Sequence, residues 1–313
     1  MWHLPFIRAI AAVSPGGKVT FLAPPTSNAR DLLAAEPMVA EVLYFEHFGS
    51  ELLRGINLIK LTVLLRRCRF RSLWILDRAI RPALAGFFAG IPERIGVGFS
   101  PQRRFITNKG IDQSHFHDFP IDWLVALMAD MRVPLPTTEP NLQLPRDLLA
   151  AVGDKFSACP RPWIVLGLGG SHPDKDWPTA HWAQFLGALR GLTDGTVFLI
   201  GGPAHIERVQ NLIAGTAGAN AVNACDLKVA EAAALLRRAD LFVGTDSGPL
   251  NLAAAAETEA FGLFGATPVL KYSKFIHAIV PEGGRTQKGM QRIPPAQVLA
   301  AIKPYLSFRK ERA

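Results

Sequence analysis

The chain has 313 residues, 49% of them hydrophobic and 19% charged, with a formal net charge of +8. Its length exceeds the ~250 residues at which a single core usually stops growing, so two domains are expected. The composition excludes a disordered chain, and no run of about 18 apolar residues is present to cross a bilayer.

The opening segment, "MWHLPFIRAIAAVSP", carries Arg8 within its apolar part and lacks a basic n-region, so it is not read as a secretory signal. Cys68, Cys159 and Cys225 are far apart and form no C-x-x-C pair. Neither a disulfide framework nor a zinc site follows from them, and a reducing cytoplasm is the expected location.

In chain order, "LPFIRAIAAV" predicts a helix, "KVTFLAP" and "VAEVLYF" strands, "ELLRGINLIKLTVLLRRC" a long helix, "SLWILD" a strand, "RPALAGFFAG" a helix and "RIGVGF" a short strand. Such alternation of short apolar runs with helix-period stretches is the signature of α/β domains on parallel sheets. Residues 54–109 hold twelve Lys and Arg against Asp77 and Glu93, an excess of +10. That points to an anionic partner: a phosphorylated substrate, an acidic membrane surface or nucleic acid. No zinc, RNP or helix-turn-helix signature accompanies the basic segment, and nucleic acid is set aside.

Residues 133–147, "VPLPTTEPNLQLPRD", carry four prolines and read as a linker. Beyond them "WIVLGL", "TVFLIGG", "DLFVGTD" and "EAFGLFG" predict strands. "TAHWAQFLGALRGL", "AHIERVQNLIAGTA", "VAEAAALLRRA" and "PLNLAAAA" predict helices, and "PPAQVLAAIKPYL" a closing one that crosses back toward the first domain. The chain opens inside a helix with no strand before it, although the first strand of a doubly wound sheet is central.

Two loops carry the chemistry. In "GLGGSHPDK" glycines after a strand let backbone N–H groups approach an oxyanion, and Lys175 adds a full charge. In "ADLFVGTDSGPLNLAAAAE" a buried strand ends at Gly244, a polar turn from Thr245 to Pro249 follows, and a small-residue helix begins near Leu250. Its N-terminus suits an anion; the alternative is that Asp246 or Ser247 only caps the helix. Both loops follow strands of one parallel sheet and so share its carboxyl edge, where a diphosphate is the natural common guest.

"DKDWPTAHWAQFL", "VFLIGGPAHIERVQNLIAG" and "AEAAALLRRADLFVGTDSGPLNLAAA" resemble consecutive donor-side motifs of glycosyltransferase family 9, the heptosyltransferase family. "AGIPERIGVGF" and "HLPFIRAIAAVSPGGKVTFLAP" resemble its acceptor side. The resemblance implies a GT-B fold of two Rossmann-like domains whose parallel sheets face a cleft: residues 1–140 on the acceptor side, 141–300 on the donor side, and 301–313 as helix end and basic tail. It further implies inverting, metal-independent sugar transfer from a nucleotide diphosphate sugar, ADP-linked, with no cofactor.

By the same resemblance, Lys175 and Asp246 are the catalytic candidates, and Ser171, Lys175, Asp246, Ser247 and Gly248 hold the diphosphate and sugar. Glu207 is a candidate for the ribose hydroxyls, Leu227 and Lys228 for the adenine. Asn251 stands where the family has a histidine in D-S-G-x-x-H, and it cannot become a cation. The expected partners are the nucleotide-sugar donor, an anionic saccharide or lipid-linked acceptor, and the inner face of the cytoplasmic membrane.

Family members begin with a strand and a Gly-Asp turn whose aspartate is the general base. The resemblance puts that turn just ahead of Met1, so the first strand of the N-terminal domain and the base are expected to be missing. His3 and Asp77 are the only substitutes in view, and a non-catalytic nucleotide-sugar-binding protein is the alternative reading.

Overall fold

The computed structural model describes residues 1–46, 51–169, 172–216 and 220–310. The chain divides into two compact units, one of Trp2–Leu33 with Pro37–Thr138, the other of Glu139–Ala313 with Met1 and Ala34–Glu36.

The first unit runs α1 (Leu4–Val13), β1 (Val19–Ala23), α2 (Ala29–Leu32), β2 (Val39–Tyr44), α3 (Glu51–Cys68), β3 (Ser72–Ile75), α4 (Ile80–Ala89), β4 (Glu93–Gly96) and α5 (Pro120–Asp130). Pro5 sits in the first turn of α1, where a missing N–H costs nothing. Gly90 closes α4 in the left-handed conformation (φ 78°) and donates to the carbonyls of Gly86 and Phe87. Strand β1 pairs in parallel with β2, and β3 with β4. Among the described residues these are two separate two-stranded sheets.

The second unit holds α6 (Arg146–Lys155), β5 (Trp163–Gly167), α7 (Thr179–Leu189), β6 (Thr196–Ile200), α8 (Ile206–Ala214), β7 (Ala221–Asn223), α9 (Val229–Arg238), β8 (Leu241–Thr245), α10 (Gly248–Ala255), β9 (Ala260–Leu263), β10 (Ile276–Ile279) and α11 (Pro295–Lys310). Six parallel strands lie in the order β10-β9-β8-β5-β6-β7. Every residue of β5, β6 and β8 is buried, which explains their unbroken apolar runs: both faces of the sheet are covered.

Alternate side chains supply the two faces. Ile164, Leu166, Val197, Leu199, Leu241 and Val243 meet Trp182, Phe185 and Leu186 of α7, Leu212 of α8, and Val298 and Ile302 of α11 in one core. On the opposite face Trp163 and Phe198 pack edge-to-face with each other and with Phe156, which follows α6. The proline-rich stretch is pinned from Glu139 onward: Leu142 is buried, its N–H donates to the Ala255 carbonyl (2.7 Å), and its own carbonyl accepts from Arg237 Nη2 (2.8 Å).

Elements without an expectation from the sequence are α2, α5, α6, β7 and β10. Strands β7 and β10 have three and four residues and are mostly half-buried, too short to display a period.

Candidate donor site at the strand switch point

The sheet order places β5 beside both β6 and β8, so the chain leaves β5 toward one side and later returns to the other. This is the switch point at which the loops after neighbouring strands diverge and open a crevice at the carboxyl edge. The loop after β5 carries Lys175 and the loop after β8 carries Asp246, and across the switch point they meet. Lys175 Nζ lies 3.0 Å from Asp246 Oδ2 and 3.4 Å from the Asp246 carbonyl. Both side chains are largely but not fully covered, at 26% and 14% exposure, which leaves the ammonium reachable. An ammonium has three donors; with two turned toward Asp246, the third is available to an anion.

The same two loops are tied once more beneath this pair. Thr245, fully buried at the end of β8, donates from Oγ1 to the Gly169 carbonyl (3.1 Å). Gly169 has φ +84°, and a β-carbon there would run into the His205 imidazole. Only glycine satisfies both demands.

Helix α10 begins at Gly248 with Ser247 as N-cap, and no side chain caps it. Ser247 Oγ donates instead to the Thr245 carbonyl (3.1 Å), and Asp246 turns to Lys175. The helix start, with its partial positive charge, is therefore not closed by a cap. Gly248 is exposed, has an ordinary backbone φ, and nothing stands within 4 Å of where a β-carbon would be. Three residues on, Asn251 Oδ1 is buried without a hydrogen-bond partner. Ser171, expected in the first loop, lies outside the described residues.

The loop after β5 is anchored by residues with no expectation from the sequence. Trp177 is fully buried and donates from Nε1 to the Ile293 carbonyl (2.9 Å). Arg208 on α8 pairs with Asp176 Oδ2 (2.7 Å) and reaches Thr179 Oγ1 (3.2 Å). The two residues that follow Lys175 are thus fixed, Asp176 by a guanidinium and Trp177 by its buried indole. Arg208 and Asp176 are 32 positions apart, and no local pattern announces their pairing.

The remaining candidates follow β6 and β7 and so come to the same carboxyl edge. Glu207, exposed in the first turn of α8, lines a groove of about 510 Å³ with Thr179, Arg208 and Asn211. Leu227 is half-buried and Lys228 exposed; the Lys228 N–H donates to Glu231 Oε2 (2.8 Å) at the start of α9. Nearby, burial first and Asp226 second push the Cys225 thiol up to about 11, so it stays protonated and packs as an apolar group.

In the first unit, His3 lies before α1, where it meets the backbone of Leu76 and the charge of Asp77. It keeps part of its surface in solvent, yet the protein packed around its ring lowers its pKa against the upward pull of those two neighbours.

Comparison with known proteins gives a consistent answer. The model of glycosyltransferase family 9 (heptosyltransferase) matches residues 58–280. Lipopolysaccharide heptosyltransferase 2 of Salmonella typhimurium is 24% identical, the alignment covering 96% of this chain and 93% of that protein. Among solved structures, a family 9 glycosyltransferase from Veillonella parvula superposes with a TM-score of 0.81 at 18% identity, covering 98% of this chain and 93% of the other. The ADP-heptose lps heptosyltransferase II of E. coli gives 0.79 at 22% identity, covering 99% and 95%.

Proposed function

The chain belongs to glycosyltransferase family 9 (heptosyltransferase), and from that premise we propose that it transfers a heptose from ADP-heptose to a lipopolysaccharide-type or other anionic saccharide. The transfer inverts the anomeric carbon, needs no metal ion, and takes place at the inner face of the cytoplasmic membrane. The carrying observation is the Lys175–Asp246 pair across the β5/β8 switch point, beside the uncapped start of α10. The relatives it resembles are named for heptose transfer, one of them for ADP-heptose.

In the reaction the acceptor hydroxyl oxygen bonds to the anomeric carbon, the bond from that carbon to the diphosphate breaks, and ADP leaves with the electron pair. The hydroxyl proton passes to a general base. Negative charge grows on the leaving diphosphate, and the free donor of Lys175 with the α10 N-terminus stabilises it where it develops. Asp246 keeps the ammonium aimed into the crevice. Ser247, Gly248 and Asn251 line the turn that the sugar phosphate approaches, while Glu207, Leu227 and Lys228 are assigned to the nucleoside.

Incubation with ADP-heptose and a heptose-free lipopolysaccharide acceptor, with and without a chelator, should release ADP and add one heptosyl mass. NMR of the product should give the anomeric configuration opposite to the donor's. Lys175→Ala should weaken ADP binding by about tenfold or more in calorimetry, the worth of one charge-assisted hydrogen bond, with an unchanged circular dichroism spectrum. A wild-type protein that binds ADP but releases none from ADP-heptose would overturn the transfer reading.

A further inference from the structure

Helix α3 is apolar on two opposite sides. Leu61 and Leu65 are buried with Ala85 of α4 and Ile91, and Leu58 packs beside them. On the far side Ile59 is 65% exposed, Val63 43% and Ile56 39%. At 3.6 residues per turn these three form one stripe, and Arg66 and Arg67, both exposed, flank its continuation into the last turn; Lys60 lies along its edge. A helix of a globular domain needs one apolar stripe; among the described residues the second is an unpartnered face.

The neighbouring helix adds to it. Helices α3 and α4 lead into β3 and β4, which are parallel, so both helices run against the strands and end at the strands' N-terminal edge. At that edge α4 exposes Phe87 (49%) and Phe88 (57%). Arg69 and Arg71 are exposed just beyond α3; among the described residues, Glu93 lies 3.7 Å from Arg71. Arginines in a last turn also suit the helix dipole, but a dipole gives no reason to expose two isoleucines, a valine and two phenylalanines.

We infer that this face of α3 and the end of α4 form a docking surface for an anionic lipid bilayer, with Ile56, Ile59, Val63 and Phe88 entering the headgroup boundary and Lys60, Arg66, Arg67 and Arg69 meeting lipid phosphates. The charge selects the occupant: a second copy of the chain would bring the same cations face to face, and a neutral protein surface would leave them unpaired. Branched and aromatic side chains amid cations are how a helix lies in an interface without crossing it, and no described helix is long and apolar enough to cross. The inference rests on reading the acceptor as membrane-borne, and it adds the surface that brings the enzyme there.

The test uses the full chain with vesicles of phosphatidylcholine alone, or with added phosphatidylglycerol, in a cosedimentation assay at low and high salt. Wild type should bind only the anionic vesicles and leave them in high salt. Ile59→Glu with Val63→Glu should lower that binding by about tenfold or more, and Arg66→Glu with Arg67→Glu by roughly fivefold or more per arginine. Both double variants should bind ADP in calorimetry as wild type does. Equal binding to neutral vesicles, no binding at all, or full binding by the Ile59/Val63 variant would overturn the assignment. So would a dimer in light scattering that this variant dissolves, which would make the face a contact between copies. Vesicle binding by a wild type that takes up no ADP would instead sink the donor reading and leave the lipid face standing.

Discussion

That Lys175 and Asp246 lie at the sheet's carboxyl edge was legible, because both sit in loops that follow fully buried strands, where a charge has no core to enter. Thr245 was not, because its importance lies in a bond to Gly169, 76 positions away. Replacing it by valine keeps the volume and removes one donor, so the Gly169 carbonyl would stay buried and unpaired. Thr245→Val should therefore lower stability by about 1–3 kcal/mol, read by denaturant titration. It should also weaken ADP binding, since this hydroxyl fixes the spacing between the two loops that carry Lys175 and Asp246. A variant with the lower stability but unaltered ADP affinity would reduce Thr245 to a packing residue. Arg208 was hidden for the same reason: its clamp on Asp176 is made by folding, and sequence spacing carries no trace of it.

At the scale of elements, long helices and buried strands were readable from period and length, and the misses share a physical cause. Helix α6 starts right after Pro145, at the end of a proline-rich stretch that masked it. Strands β7 and β10 lie at the two edges of the six-stranded sheet, and their half-burial comes from having one neighbour each. The start of α10 was legible as a strand-turn-helix junction, but whether Asp246 or Ser247 caps it was not; the structure turns both side chains elsewhere. Gly248 is consequently a position about ligand room rather than backbone strain. Gly248→Val should leave the melting temperature nearly unchanged, because the space is open and φ is ordinary, while ADP binding falls below detection in calorimetry. A large loss of stability would show that the turn needs glycine for its own conformation, and unaltered ADP binding would remove the α10 start from the site.

Across the whole molecule the two units differ in how their strands are supported. In the second, β5, β6, β8 and β9 each have neighbours on both sides, and helices cover both faces. In the first, each of β1–β4 has a single neighbour among the described residues, and β1 and β2 are mostly half-buried or exposed. An unpaired strand edge leaves backbone donors and acceptors to water, and segments so placed open at a lower free energy than a doubly paired core. The opening helix was legible in the sequence, but the division into two strand pairs was not, because pairing partners are set by tertiary geometry. In hydrogen exchange followed by mass spectrometry, amides of β1–β4 should exchange first, and those of β5, β6 and β8 last. The residues assigned to the donor all lie in the second unit, so ADP at about a hundredfold over its dissociation constant should add about 2.7 kcal/mol of protection there. Peptides from β1–β4 should show little of that gain. If all strands instead open together, with ADP raising protection equally throughout, then the units form one cooperative body and the unpaired edges of β1 and β3 carry no penalty.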